Sequence, residues 1–377
     1  MQPSLPDRVA AEPVPPAMPE KRRRRWLVAL ALLVLSPLMG DVLSGSTPPL
    51  ALLSPFPLIV LPTLYGIWAI LIHEIVARRG LGWGNALLLG AAFGIFQEAL
   101  VVQTWFLYGV KSSPSYSTGT YGVLWGTNWL WGFNLSVYHA VVSILTPLLL
   151  IAVFFPVRAE VCWLRWRVIT PLTLWMLLLC GALAYEVAFK MYANQGYAGP
   201  PLVPYLICAV LTVALVVLGA TLRLPTPRPN PSRAAPRLWT VRLTLCALMA
   251  LYTMLPTILF PAFKLPVWAA FLVAALLVAV GIARVRSWSA RAGWGARHWL
   301  AVATGVALYF ALLWAPLIEF GLAMPGQLGL TALDLVVAVL LLLSDSRLKR
   351  RLATTNTATT APALQTHMPE RLSANQG

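Results

Sequence analysis

Two stretches decide the fold. Residues 84–106 read GNALLLGAAFGIFQEALVVQTWF, and residues 129–155 read WLWGFNLSVYHAVVSILTPLLLIAVFF. Each is longer than the roughly 20 apolar residues that cross a hydrocarbon core as a helix. Each also carries one ionisable group deep inside, Glu98 in the first and His139 in the second.

The same kind of run recurs outward along the chain. Runs at Trp26–Met39, Pro57–Ala77, Val168–Ala193, Pro201–Leu222, Leu243–Phe263, Pro266–Ala283, Trp299–Ile318 and Leu328–Leu343 bring the expected total to ten. The composition agrees, with 59% hydrophobic and 11% charged residues. A soluble domain carries about 25% charged residues. The expected fold is an all-α polytopic transmembrane bundle, and the surroundings are a lipid bilayer, the cell membrane. Sixteen Trp suit the interfacial belts of such a protein.

The net charge of +16 would suggest nucleic acid in a soluble chain. Here the basic residues sit in short loops between apolar runs, as orientation signals do, so no nucleic-acid partner is read. With the N-terminus cytosolic, all but three of the 28 Lys and Arg fall on the cytosolic side; the exceptions are Lys111, Lys190 and Lys264. That alternation places both termini in the cytosol.

The expected organisation is a basic disordered tail over 1–25, six spans over 26–222, a Pro/Arg-rich linker over 223–242, four spans over 243–344, and a disordered tail over 345–377. Lys21–Arg25 before Trp26–Met39 resembles a signal peptide, but no A-x-A site follows, and an uncleaved first helix is expected. The four Cys are scattered and form no CxxC, so neither a disulfide framework nor a zinc site is read. No metal or cofactor is assigned.

Charged groups inside a membrane span are functional candidates by default. Glu74 precedes Arg78 by four residues, and Glu186 precedes Lys190 likewise; both are expected to be helix ion pairs. Glu319 reads as solvated, and Asp334 as a lone interhelical contact. Glu98 follows Gly90 and Gly94 at steps of four, a small face that packs on a neighbouring helix. Gln97 and Gln103 add polarity. On the next run Gly132, Ser136, His139, Ser143 and Thr146 recur at steps of four and three, one polar stripe along a helix, flanked by Asn134 and Tyr138. Consecutive antiparallel spans are neighbours, and Glu98 and His139 come out at matching depth. His73 lies about 10–15 Å deeper by the helical rise, which argues against a three-ligand metal site. The loop 107–128, with Tyr108, Tyr116, Tyr121 and Trp125, reads as an interfacial aromatic segment or a lid.

Together His73-Glu74, Arg78-Arg79-Gly80, Gln97-Glu98-Ala99-Leu100, Gln103, His139-Ala140 and Ser143-Ile144 resemble a group of bacterial many-pass membrane proteins without an assigned activity. That group usually has Glu-Glu-Gly-Leu where this chain has Gln97-Glu98-Ala99-Leu100. More distantly, acids on one span and a His on the next are similar to the CAAX-protease and bacteriocin-processing family. That resemblance implies an intramembrane hydrolase with a Glu/His site. The chain departs from that pattern at Val102, where Arg is expected, and at Leu135, where Phe is expected. Within the membrane no His follows from the fifth span onward to supply that family's second one. Three readings stand. In one, Glu98 and His139 are catalytic in a hydrolase. In another they are the protonatable gate of a transporter or ligand-binding protein. In the third the polar groups only hold helices together and the protein acts by binding a partner. Gln97, Gln103, Asn134, Ser136, Tyr138 and Ser143 are the candidate binding residues.

Overall fold

The computed structural model describes residues 25–111, 119–156, 161–321 and 326–360. The expected N-terminal tail, Tyr116 and residues 361–377 lie outside these. Among the described residues nine helices are long and apolar enough to cross a membrane. They are α1 (Arg25–Val42), α2 (Pro55–Arg79), α3 (Trp83–Val101), α4 (Trp129–Phe154), α5 (Trp166–Met191), α6 (Leu202–Thr221), α7 (Leu238–Ala262), α8 (Val267–Ser289) and α9 (Ala296–Gly321). The tenth apolar run opens a 31-residue helix, α10 (Leu330–Thr360). Asp334, Asp345 and Arg347 interrupt its apolar character. The protein is an all-α polytopic membrane protein.

Two boundaries differ from the sequence reading. The linker is shorter, because Leu238–Arg242 already belongs to α7. Within it Asn230–Ala234 pairs in parallel with Arg291–Ala292. Residues 345–360, expected in the tail, belong to α10. Asp345 anchors that extension, accepting from Arg242 Nη2 (2.9 Å) and Arg297 Nε (2.7 Å).

The face bearing the start of α1 is here called proximal, and its opposite distal. Helices α1 to α4 and α9 form the core. The apolar part of α3 is 67% buried and that of α8 only 11%, so α8 presents its apolar side to lipid. Close approach within the core depends on missing side chains. A Cβ on Gly66 of α2 would stand 2.6 Å from the Leu33 carbonyl oxygen of α1. On α3, a Cβ on Gly90 or Gly94 would stand 2.7 Å from the Cα of Ala140 or Ser136 of α4.

Proline shapes these contacts as well. Pro has no N–H to donate to the carbonyl four residues back. Pro37 therefore frees the Leu33 carbonyl, against which Gly66 packs. Pro147 frees the Ser143 carbonyl, which accepts from Ser36 Oγ of α1 at 2.7 Å.

π-Helical turns interrupt α1, α2, α3 and α4 at Leu38–Val42, Pro62–Gly66, Phe96–Val101 and His139–Leu145. Such turns carry one residue more than an α-turn and recur at functional sites.

Candidate functional site

These four turns meet in the distal half of the bundle and carry the site. Glu98 lies in the turn of α3 and His139 opens the turn of α4. Their side chains touch, with Glu98 Oε1 3.0 Å from His139 Nε2. Both are buried, 8% and 2% exposed. Ser143, one turn along α4, lies 2.8 Å from His139 Nδ1. The other Glu98 oxygen accepts from Thr104 Oγ1 at 2.6 Å, and Thr104 accepts from Trp131 Nε1 at 3.3 Å. With Glu98 ionised, His139 donates from Nε2 to the carboxylate and accepts the Ser143 hydroxyl at Nδ1.

Aromatic rings enclose the imidazole. Tyr65, Phe93 and Tyr138 place their centroids 5.7, 5.3 and 5.3 Å from it. Tyr65 stands on the α2 turn, and its hydroxyl donates to Asp41 Oδ1 of the α1 turn at 3.0 Å. The residue before Asp41, Gly40, packs directly on Ser143. Below the site, Leu32, Ile72, Leu89 and Ile151 fill the proximal half, each at most 1% exposed.

The other candidates divide. Tyr138 joins the site through its ring, and its hydroxyl donates to the Gly40 carbonyl at 3.0 Å. Ser136 donates to the Gly132 carbonyl within its own helix, and Thr146 to that of Val141, so most of the polar stripe serves backbone and packing. Gln97 is buried beside Glu98 in sequence, with its Oε1 lacking a partner among the described residues. The Asn134 side-chain amide also lacks one, and its backbone carbonyl accepts from Tyr252 of α7.

Gln103 departs furthest from expectation. α3 ends at Val101, and Gln103 sits beyond it in a left-handed conformation, φ 60°. Its amide faces away from Glu98, donating to the Ala184 carbonyl (3.0 Å) and accepting from Tyr197 (2.8 Å).

Elsewhere both ion pairs form, Glu74–Arg78 and Glu186–Lys190, each at 2.8 Å. Glu74 does more than pair, since its Oε1 accepts the backbone N–H of Trp163 and Leu164. His73 stacks on Trp163, centroids 3.5 Å apart, at the proximal end. Glu319 is not simply solvated: it caps α10, accepting from Gly329 N and Thr331 N at 2.8 Å. In the distal loop, Tyr121 donates to the Leu265 carbonyl and Trp125 stands exposed at a hairpin tip. Among the described residues no three His, Cys, Asp or Glu side chains gather as a metal site would need.

A family model described as an uncharacterized membrane protein family matches residues 30–364. The chain belongs to that family. Its match spans nine of the ten helices whole and residues 30–42 of α1, so the Glu98–His139 contact falls inside it. No curated protein and no solved structure matches the chain. The resemblance to many-pass membrane proteins is thus met at the level of the family.

Asp41, Tyr65 and Thr104 were missed in the sequence. Asp41 lay beyond the apparent end of the first apolar run at Met39, whereas the π turn carries α1 on to Val42. Tyr65 and Thr104 left no signal among apolar neighbours.

Proposed function

We propose that this membrane protein is an intramembrane hydrolase, with Glu98 as the proton acceptor and His139 as its hydrogen-bonded partner. The observation that carries the reading is the 3.0 Å contact between them, buried among aromatic rings. A general base must lie within hydrogen-bond reach of its partners, and burial strengthens each electrostatic contact it makes. The packed proximal half supports chemistry approached from one side over passage from face to face.

In this reading the Glu98 carboxylate takes a proton from water as the water oxygen adds to a carbonyl carbon of an ester or amide. His139 stabilises the oxyanion with its Nε2–H, which the carboxylate releases as it takes up the proton. The proton on Glu98 then passes to the leaving oxygen or nitrogen as the bond to carbon breaks. The substrate is a membrane-dissolved molecule reaching the distal half.

One observation favours the second reading, a protonatable gate. The hydrogen bonds run unbroken from Trp131 through Thr104, Glu98 and His139 to Ser143.

The test uses the purified protein in nanodiscs with fluorogenic ester and peptide-amide amphiphiles. Hydrolysis is expected, and Glu98→Gln should slow it at least about 100-fold, the lower range for a lost general base. A Glu98-dependent proton flux in dye-loaded liposomes, with no hydrolysis of any amphiphile, would overturn this reading in favour of the gate.

A further inference from the structure

Asp41, in the last turn of α1, forms no ion pair among the described residues. It is 6% exposed, and its Oδ1 is held by the Tyr65 hydroxyl. Its Oδ2 is buried without a hydrogen-bond partner among the described residues. Thr47 lies beside the carboxylate without a bond of normal geometry to that oxygen. Buried polar atoms in proteins are almost always paired, so an unpaired carboxylate oxygen marks a place for a donor from outside the chain.

Asp41 also belongs to the Glu98–His139 site by contact. Its bonded partner Tyr65 packs against the His139 ring, and its neighbour Gly40 packs on Ser143. The site therefore brings two acids to one imidazole. The single fully buried Lys or Arg among the described residues, Arg242, is committed to Asp345 beyond the apolar part of α10. Two carboxylates and one imidazole buried together are neutral only when they take up positive charge, either as protons on the carboxyls or as a bound cation. No third acid or His joins them to hold a metal ion. A protonated amine supplies both what is missing, a unit charge and N–H donors.

We propose that Asp41 is the anchor of a ligand-binding subsite, and that the substrate of this site carries a protonated amine seated on Asp41 Oδ2. This rests on the hydrolase reading for the word substrate; the amine subsite itself does not depend on turnover.

The test measures thermal stabilisation of the full-length protein in nanodiscs by hexylammonium, with hexanol and hexanoate as neutral and anionic counterparts at constant ionic strength. The wild type should be stabilised by hexylammonium and not by the other two. D41N, which keeps the shape and removes the charge, should bind hexylammonium at least about tenfold more weakly, as expected for a lost charge-assisted hydrogen bond. Equal stabilisation by hexanol, unchanged amine binding in D41N, or the same stabilisation by sodium ions alone overturns the proposal. If D41N does not fold, Y65F decides, because it keeps the carboxylate and must still prefer hexylammonium over hexanol; loss of that preference overturns the proposal. Amine binding absent while hydrolysis persists sinks only this inference. Amine binding present without hydrolysis sinks only the hydrolase reading.

Discussion

The contact between Glu98 and His139 joins two helices, and each partner also satisfies a second hydroxyl. Removing one side therefore strands buried atoms on the other. Glu98→Ala leaves His139 Nε2 unpaired and the Thr104 hydroxyl with only the residue-98 backbone carbonyl, 3.4 Å away, to donate to, and should cost about 1–3 kcal/mol in unfolding free energy. His139→Ala should cost a similar amount by orphaning Glu98 and Ser143. The double variant should fall short of the sum by about 0.5–3 kcal/mol, as coupled neighbours do. Strict additivity in a detergent unfolding series would mean that the pair does not form. Both residues were legible in the sequence because a charge inside an apolar run stands out against its background. Asp41 was not, because the hydropathy of the run had already fallen at Met39. Tyr65 was not, because a phenol reads as one more aromatic until its hydroxyl is seen to bond.

The elements are held together by backbone proximity more than by polar side chains. Where Gly66 meets the Leu33 carbonyl, any side chain must push α1 and α2 apart. Gly66→Ala should therefore destabilise by about 1–3 kcal/mol, the usual range for overfilling a packed core. It should also weaken the proposed hydrolysis, because Tyr65 precedes Gly66 on the same turn. Gly281 of α8, whose nearest neighbour would be 3.7 Å from an added Cβ, is the control; Gly281→Ala should be neutral or slightly stabilising. Helix number, type and most boundaries were legible, because apolar length alone sets them. The π turns were not. Hydropathy carries no trace of a hydrogen-bond ladder that slips by one residue, and the prolines at 37, 62 and 147 were its nearest sequence signal. The same blindness placed Gln103 on a helix that ends at Val101.

At the scale of the whole molecule, the proximal face is pinned by a cluster that the sequence reading assigned to a linker and a tail. Burial pushes the Asp345 carboxyl upward, but hydrogen bonds from Arg297 and Arg242 outweigh it and hold it below the usual carboxylate value. A carboxyl lowered in the folded state contributes stability that is full above its unfolded value, about 3.9, and is lost as pH falls through the folded one. Asp345→Asn should therefore lower the melting temperature from pH 5 to 8 by a constant amount. The gap to the wild type should close below about pH 4. A gap that instead widened on acidification would contradict the lowered carboxyl. The core at the distal end is organised differently, around four helices that each carry a π turn. A π turn is an α-helix with one residue too many. Removing that residue restores the regular ladder and leaves the flanking halves in phase, whereas a deletion elsewhere in the same helix rotates everything after it by about 100°. Single-residue deletions within 38–42, 62–66, 96–101 or 139–145 would thus spare membrane insertion and the phase of the flanking helix halves while scattering the acids, the imidazole and the phenol. The chain can shed its chemistry one residue at a time and still be the same bundle.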